Sequence, residues 1–220
     1  MGKRKELEED LKKEKRNLYF AKLLMGLFLI IIIIAMIIPF YAIKLDPEPK
    51  KILNVDELWV DFTFSNQSHK INSRNDYLLF LTPEAPLIKQ ISALISSTAC
   101  KDINRICYAK ALFYFARDKI NYIKDPVTEE YIEYPEDVLY SRAADCDGKA
   151  VLLASMLQSI GIETRFAFTS NHVFVQAFLP EALRKYKEKD SDAINLDPAC
   201  GNCKFGELSI SVREADKTYV

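Results

Sequence analysis

The chain has 220 residues, and its 30 Lys and Arg against 31 Asp and Glu leave a formal net charge of -1. That balance gives no case for nucleic acid or for a strongly charged partner. Beyond a membrane segment, the length leaves about 170 residues, the right size for one domain with its own core.

Residues 1–22 form a charged tail in which Leu7, Leu11 and Leu18 make a weak helical stripe, read as a solvated extension of the apolar run after it. From Leu23 to Ile43 there is no charged residue, and Lys22 and Lys44 bracket the run. At about 1.5 Å per residue it spans about 30 Å, the hydrocarbon thickness of a bilayer. A cleaved signal peptide has a shorter apolar region and a small-residue cleavage site; neither fits here, so residues 23–43 are read as a transmembrane helix in contact with lipid. Lys3, Arg4, Lys5, Lys12, Lys13, Lys15, Arg16 and Lys22 precede the run, and only Lys44, Lys50 and Lys51 come closely after it. The positive-inside bias puts the N-terminus in the cytoplasm and the rest of this single-pass chain outside the cell membrane. Gly2 is not read as a myristoylation site, because Glu6 stands where Ser or Thr is needed.

Residues 44–51, with Asp46-Pro47-Glu48-Pro49, read as a short stiff linker. The juxtamembrane segment 52–81 has strand character over Glu57–Phe64 and then a polar loop from Ser65 to Asn75. From residue 82 onward the pattern is that of one domain. Pro83 and Pro86 mark a helix start, with Ile88–Ser97 as its body. A second helix is expected over Asp102–Tyr122, on the stripe Ile106, Ala109, Phe113, Ala116 and Ile120. Pro135–Leu139 reads as one helical turn. The helix Cys146–Ile160 is apolar almost all round and should be central and buried, with Gly161 as its terminator. The strands Ile162–Thr169 and His172–Leu179 should form an antiparallel hairpin, and Ala193–Asp197 a third strand beside it. Helices first and strands later give an α+β fold, a Cys-bearing helix packed on an antiparallel sheet.

In that arrangement Cys146 opens a helix, where free N–H groups and a partial positive charge favour a thiolate. Asp145 and Asp147 oppose it if they point inward; Asp145 is better placed as a helix cap and Asp147 toward solvent or a hydrogen-bond donor. If the third strand runs antiparallel, Asp197 falls beside His172. Each signal alone has a bland reading: a lone cysteine at a helix start is more often inert, a strand histidine structural, and Asp197-Pro198 an ordinary strand end. His69, the second histidine, reads as solvated. Together they point to a nucleophile, a base and an orienting acid. The backbone N–H of Cys146 is a natural oxyanion donor.

Residues Thr82–Ala199 resemble the transglutaminase-like superfamily, whose core is papain-like. The resemblance is carried by Tyr134–Leu139, Asp145–Leu157, Gly161–Phe166, His172–Val175, Asn195–Pro198 and the upstream helices ending at Ile120–Tyr122. It implies a catalytic triad of Cys146, His172 and Asp197. Two positions depart from the pattern: Ala144 replaces the usual glycine, and Phe174 the usual tryptophan. The superfamily includes cross-linking transferases, peptidases, amidases and inactive members. The expected function is that of a membrane-anchored cysteine enzyme, hydrolysing an amide or peptide bond of a peptide or protein substrate through a thioester. The alternative is an inactive module that binds peptide or cell-envelope polymer. Nothing resembles a calcium loop, so neither metal nor other cofactor is expected.

Cys100, Cys107, Cys200 and Cys203 suffice for two disulfides that leave Cys146 free, without fixing the pairing. Free structural thiols, a redox pair at Cys200-Gly201-Asn202-Cys203, or a four-thiolate zinc site remain the other readings.

Overall fold

A computed structural model describes residues 2–58, 69–70, 73–124 and 131–220. It divides into two compact units, Met1–Leu45 and Asp46–Val220. The first is a single helix, α1 (Gly2–Phe40), continued by a wider π turn over Tyr41–Leu45. Pro39 lies inside α1 and cannot donate a helical hydrogen bond, which accounts for a change of winding just beyond it. Its stretch Leu11–Phe40 is long and apolar enough to cross a membrane, and none of it is buried within the protein.

The second unit is α+β. Helices α2 (Pro86–Ala99) and α3 (Arg105–Asp118) pack together, joined at one end by a disulfide between Cys100 and Cys107. Pro86 occupies the first helical position of α2, where no N–H is needed, and Asn104 caps α3 by accepting from the N–H groups of Ile106 and Cys107. Strand β1 is His69–Lys70, and a 3-10 helix covers Arg74–Phe80. The strand character expected near Glu57–Phe64 meets a 3-10 turn at Val55–Leu58 and otherwise lies outside the described residues.

The second helix is shorter than its apolar stripe suggested. It stops at Asp118, and Asn121–Tyr122 form a strand, β2. After β3 (Tyr131–Ile132) and α4 (Pro135–Ser141) comes β4 (Ala143–Ala144), which pairs in parallel with β2, Tyr122 opposite Ala144. The ladder gives the backbone of residues 121–123 partners that a further helical turn would forgo: Asn121 N–H donates to Arg142 and Ile123 N–H to Ala144. Tertiary pairing has overridden a local periodicity.

Helix α5 (Cys146–Ser159) is the centre of the unit. It touches α2, α3 and α4 as well as the sheet strands β5 (Thr164–Phe168) and β6 (Val173–Phe178). Val151, Leu152, Leu153, Met156 and Leu157 have no exposed surface. Each such side chain contributes about 1.5–3 kcal/mol of burial, far more than any cap at its end. Strand β7 (Ala193–Leu196) runs antiparallel to β6 with Leu196 opposite Val175, and a short β8 (Thr218–Tyr219) closes the other edge on β5. The sheet order is β7-β6-β5-β8. Neither β8 nor the short helix α6 (Ile210–Glu214) stands out in the sequence, since elements of two and five residues are too short to show a period.

Lys110 on α3 has no exposed surface, so its charge must be answered within the fold. Its Nζ donates to Asp46 Oδ1 at 2.6 Å and to Glu48 Oε1 at 2.5 Å, while Lys185 and the Tyr186 hydroxyl also donate to Asp46. Burial works to raise the Asp46 carboxyl pKa, but bonds from Lys110, Lys185 and Tyr186 prevail and hold it below the usual carboxylate range. A carboxyl with a depressed folded pKa contributes stability above its unfolded pKa and loses it as pH falls through the folded value. Asp46→Asn is therefore expected to cost about 3 kcal/mol at neutral pH and to remove part of the acid-dependent loss of stability. Denaturant unfolding of the detergent-solubilised chain at pH 7 and pH 3 measures both.

Candidate active site

The functional elements meet where α5 begins and the β6–β7 pair ends. Asp145 is the N-cap of α5: Oδ1 accepts from Asp147 N–H at 2.8 Å and from Gly148 N–H at 3.3 Å. This holds Cys146 in the first turn and leaves its own N–H outside the cap. Gly148 is required by space. A Cβ there would lie 2.7 Å from the Cβ of Ala144 and 2.7 Å from Glu133 Oε2.

The antiparallel register of β6 and β7 brings His172, just before β6, to Asp197, just after β7. His172 Nε2 lies 2.9 Å from Asp197 Oδ2, and Asp197 is 1% exposed. With Asp197 a carboxylate, His172 donates through Nε2–H and keeps Nδ1 as the nitrogen able to take a proton. The other carboxylate oxygen, Oδ1, accepts the N–H of Ala199 at 3.1 Å, so the carboxylate is fixed from both sides. Phe174 stacks near the imidazole, with ring centroids 6.5 Å apart.

The thiol of Cys146 is half-buried and free, while the second disulfide joins Cys200 to Cys203. The thiol is within reach of the backbone N–H of Val173, the neighbour of His172, and that contact favours the thiolate. Other influences outweigh it. Burial, then the charges of Asp147 and Asp145, push the thiol pKa well above its ordinary value. Sγ donates its hydrogen to Asp147 Oδ1 at 3.3 Å, not to the imidazole. The structure thus joins His172 to Asp197, sets the thiol beside the strand that begins after His172, and keeps the resting cysteine neutral.

Three further side chains belong to this neighbourhood. Tyr77 is buried, and burial followed by the charge of Asp147 raises its pKa. Tyr122 on β2 is about half exposed, and after burial the charges of Cys146, Asp145, Asp147 and Asp197 raise its pKa. Lys149 is buried and donates to the carbonyls of Arg117 and Ile120 at 3.0 and 2.9 Å, closing the end of α3; burial lowers its pKa to about 8. Tyr77 and Tyr122 carry no local sequence signal, since both reach the site through tertiary packing. Donor atoms of Asp145, Cys146 and Asp147 lie within 4.8 Å of one another. Here the two carboxylates serve as hydrogen-bond acceptors, one for helix N–H groups and the other for the thiol.

Residues 91–183 match the model of the transglutaminase-like superfamily. The matched region takes in Cys146 and His172 and ends before Asp197. Among solved structures, the chain is similar to Legionella pneumophila LapG (EGTA-treated) at 18% identity, covering 59% of this chain and 78% of that one, with a TM-score of 0.35. No curated protein matches the chain.

Gly148→Ala is expected to cost about 1–3 kcal/mol by overpacking and to slow alkylation of Cys146, because its Cβ would push against β4 and shift the first turn of α5. A thermal melt alongside iodoacetamide kinetics separates the two effects.

Proposed function

We propose that the Asp46–Val220 unit is a cysteine-dependent acyl-transfer enzyme, anchored through α1 and acting outside the cytoplasm on an amide or peptide bond. The observation that carries this reading is the 2.9 Å His172–Asp197 pair, set at the start of the strand whose first N–H reaches the Cys146 thiol. Cys146 is the nucleophile, His172 the base and Asp197 the residue that fixes the imidazole tautomer.

The resting thiol is neutral, so the proton leaves as attack occurs and no standing ion pair is needed. His172 Nδ1 takes the Sγ proton while sulfur bonds to the carbonyl carbon. The carbonyl electrons move to oxygen, which the Cys146 N–H stabilises. The C–N bond then breaks, the imidazolium gives its proton to the departing amine, and a thioester remains. Water, deprotonated by His172, releases the acid and restores the thiol. Hydrolysis is preferred over amine transfer because no amine site is recognisable.

The location rests on three supports: the span in α1, the excess of Lys and Arg before it, and two disulfides, which suit an oxidising compartment. Protease added to intact cells is expected to digest the Asp46–Val220 unit and leave the tail before the span intact; a protected domain would reverse the orientation.

A second reading comes from the raised thiol pKa: a silent domain that uses the cleft to bind peptide or envelope polymer. Alkylation of Cys146 at neutral pH decides between them. His172→Ala is expected to slow it about 100-fold, and Asp197→Asn to slow it less, with melting temperatures unchanged. Rates indifferent to both substitutions would leave the binding reading.

A further inference from the structure

The β2–β4 ladder leads to the nucleophile with one edge open. Asn121 N–H donates to the Arg142 carbonyl at 2.8 Å, and Ile123 N–H to the Ala144 carbonyl at 3.1 Å. Along a strand, residues bonded to one neighbour alternate with residues whose N–H and C=O face the other way. Tyr122 lies between those two and turns its N–H and C=O away from β4. Among the described residues, neither group has a hydrogen-bond partner. The edge faces solvent, with Tyr122 52% and Ile123 61% exposed. Ala144, opposite Tyr122, is followed by Asp145 and then by Cys146, the first residue of α5. Because β2 runs parallel to β4, both lead toward that first turn.

We propose that the free edge of β2 at Tyr122 binds the substrate main chain, taking an extended peptide as a third strand and bringing one of its amides to Cys146. The inference rests on the reading of Cys146 as a nucleophile toward amides, and it narrows the substrate to polypeptide main chain. An N–H and a C=O left open on one residue complement the C=O and N–H of an extended peptide, and a strand edge recruits such a partner whatever its side chains. A glycan or an isolated side-chain amide has no such repeating pair to offer. Cys146 stands two residues beyond Ala144, so a peptide paired at Tyr122 needs about two further residues, at about 3.3 Å each, to draw level with it. Successive side chains of a strand point to opposite faces, so Tyr122 and Ile123 offer apolar contact on both sides of the added strand.

The test uses the detergent-solubilised full chain and a series of acetylated oligo-alanine chloromethyl ketones, from one alanine to four. These alkylate a thiol while offering little besides main chain. Each rate is divided by the iodoacetamide rate of the same protein, so that changes in thiol reactivity cancel. The ratio is expected to rise about tenfold at the length that first reaches Tyr122. In the longest reagent, lactate in place of alanine exchanges one N–H for an ester oxygen. That exchange is expected to remove the gain at one position and to spare another. Tyr122→Pro deletes the outward N–H and keeps the inward bonds of Asn121 and Ile123, so it is expected to abolish the length step. Tyr122→Ala keeps the main chain and is expected to retain the step. A ratio independent of length, or lactate without effect at every position, would overturn the proposal, and neither result depends on a variant folding. A step that survives Tyr122→Pro, or is lost in Tyr122→Ala, would overturn it as well. His172→Ala separates the two readings: it is expected to slow both reagents and leave the length step in place. An iodoacetamide rate indifferent to His172 removes the catalytic reading alone, and a length step in that protein still supports the strand site.

Discussion

The complete enclosure of α5 is the constraint on which the rest of the domain depends. A helix apolar on every face cannot lie on a surface, so it needs helices on one side and a sheet on the other, and α2, α3, α4, β5 and β6 supply them. A central helix so enclosed opens toward solvent only at its ends. Ser159 and Gly161 end it in a turn with a left-handed glycine, φ +79°, and the opposite end holds Asp145 and the half-exposed Cys146. The position of the Cys146 thiol is therefore a result of core packing.

The electrostatics of that end run against the usual expectation for a cysteine in a first helical turn. The helix dipole and free N–H groups stabilise a charge there by about 0.3–1 kcal/mol, up to about 2 when partly buried. Loss of water and two carboxylates next in sequence work in the opposite direction and are stronger, so the resting group is a thiol. For the proposed chemistry, this requires a base that acts during attack. Under that proposal the His172–Asp197 pair supplies what such a step uses, an imidazole held through Nε2 with Nδ1 left open.

Buried charge recurs at the base of the domain with the same logic. Lys110 is tolerated because Asp46 and Glu48 answer it, and Asp46 is in turn shared with Lys185 and Tyr186. Lys149 is tolerated because two carbonyls at the end of α3 accept its hydrogens. The Cys100–Cys107 disulfide spans the α2–α3 turn, and the Cys200–Cys203 disulfide comes after Asp197 within a turn whose Cys200 N–H returns to the Asp197 carbonyl.

Sequence alone determined the apolar span, the α+β order, the buried cysteine helix and the hairpin after it. These are local or periodic properties: an unbroken apolar run, an all-apolar helix, two strands joined by Ser170-Asn171. The spacing of strands also anticipated His172 beside Asp197, because antiparallel register is a one-dimensional rule. Tertiary structure alone decided the end of α3, where a parallel partner at Ala143–Ala144 outweighed the helical stripe, and the pairing of the cysteines. It also decided that Asp147 accepts from the thiol and that Tyr77, a residue whose segment carries no periodic signal, is buried beside Phe166 and Phe168. Contacts of that kind depend on which surfaces meet, and no local pattern of residues encodes them.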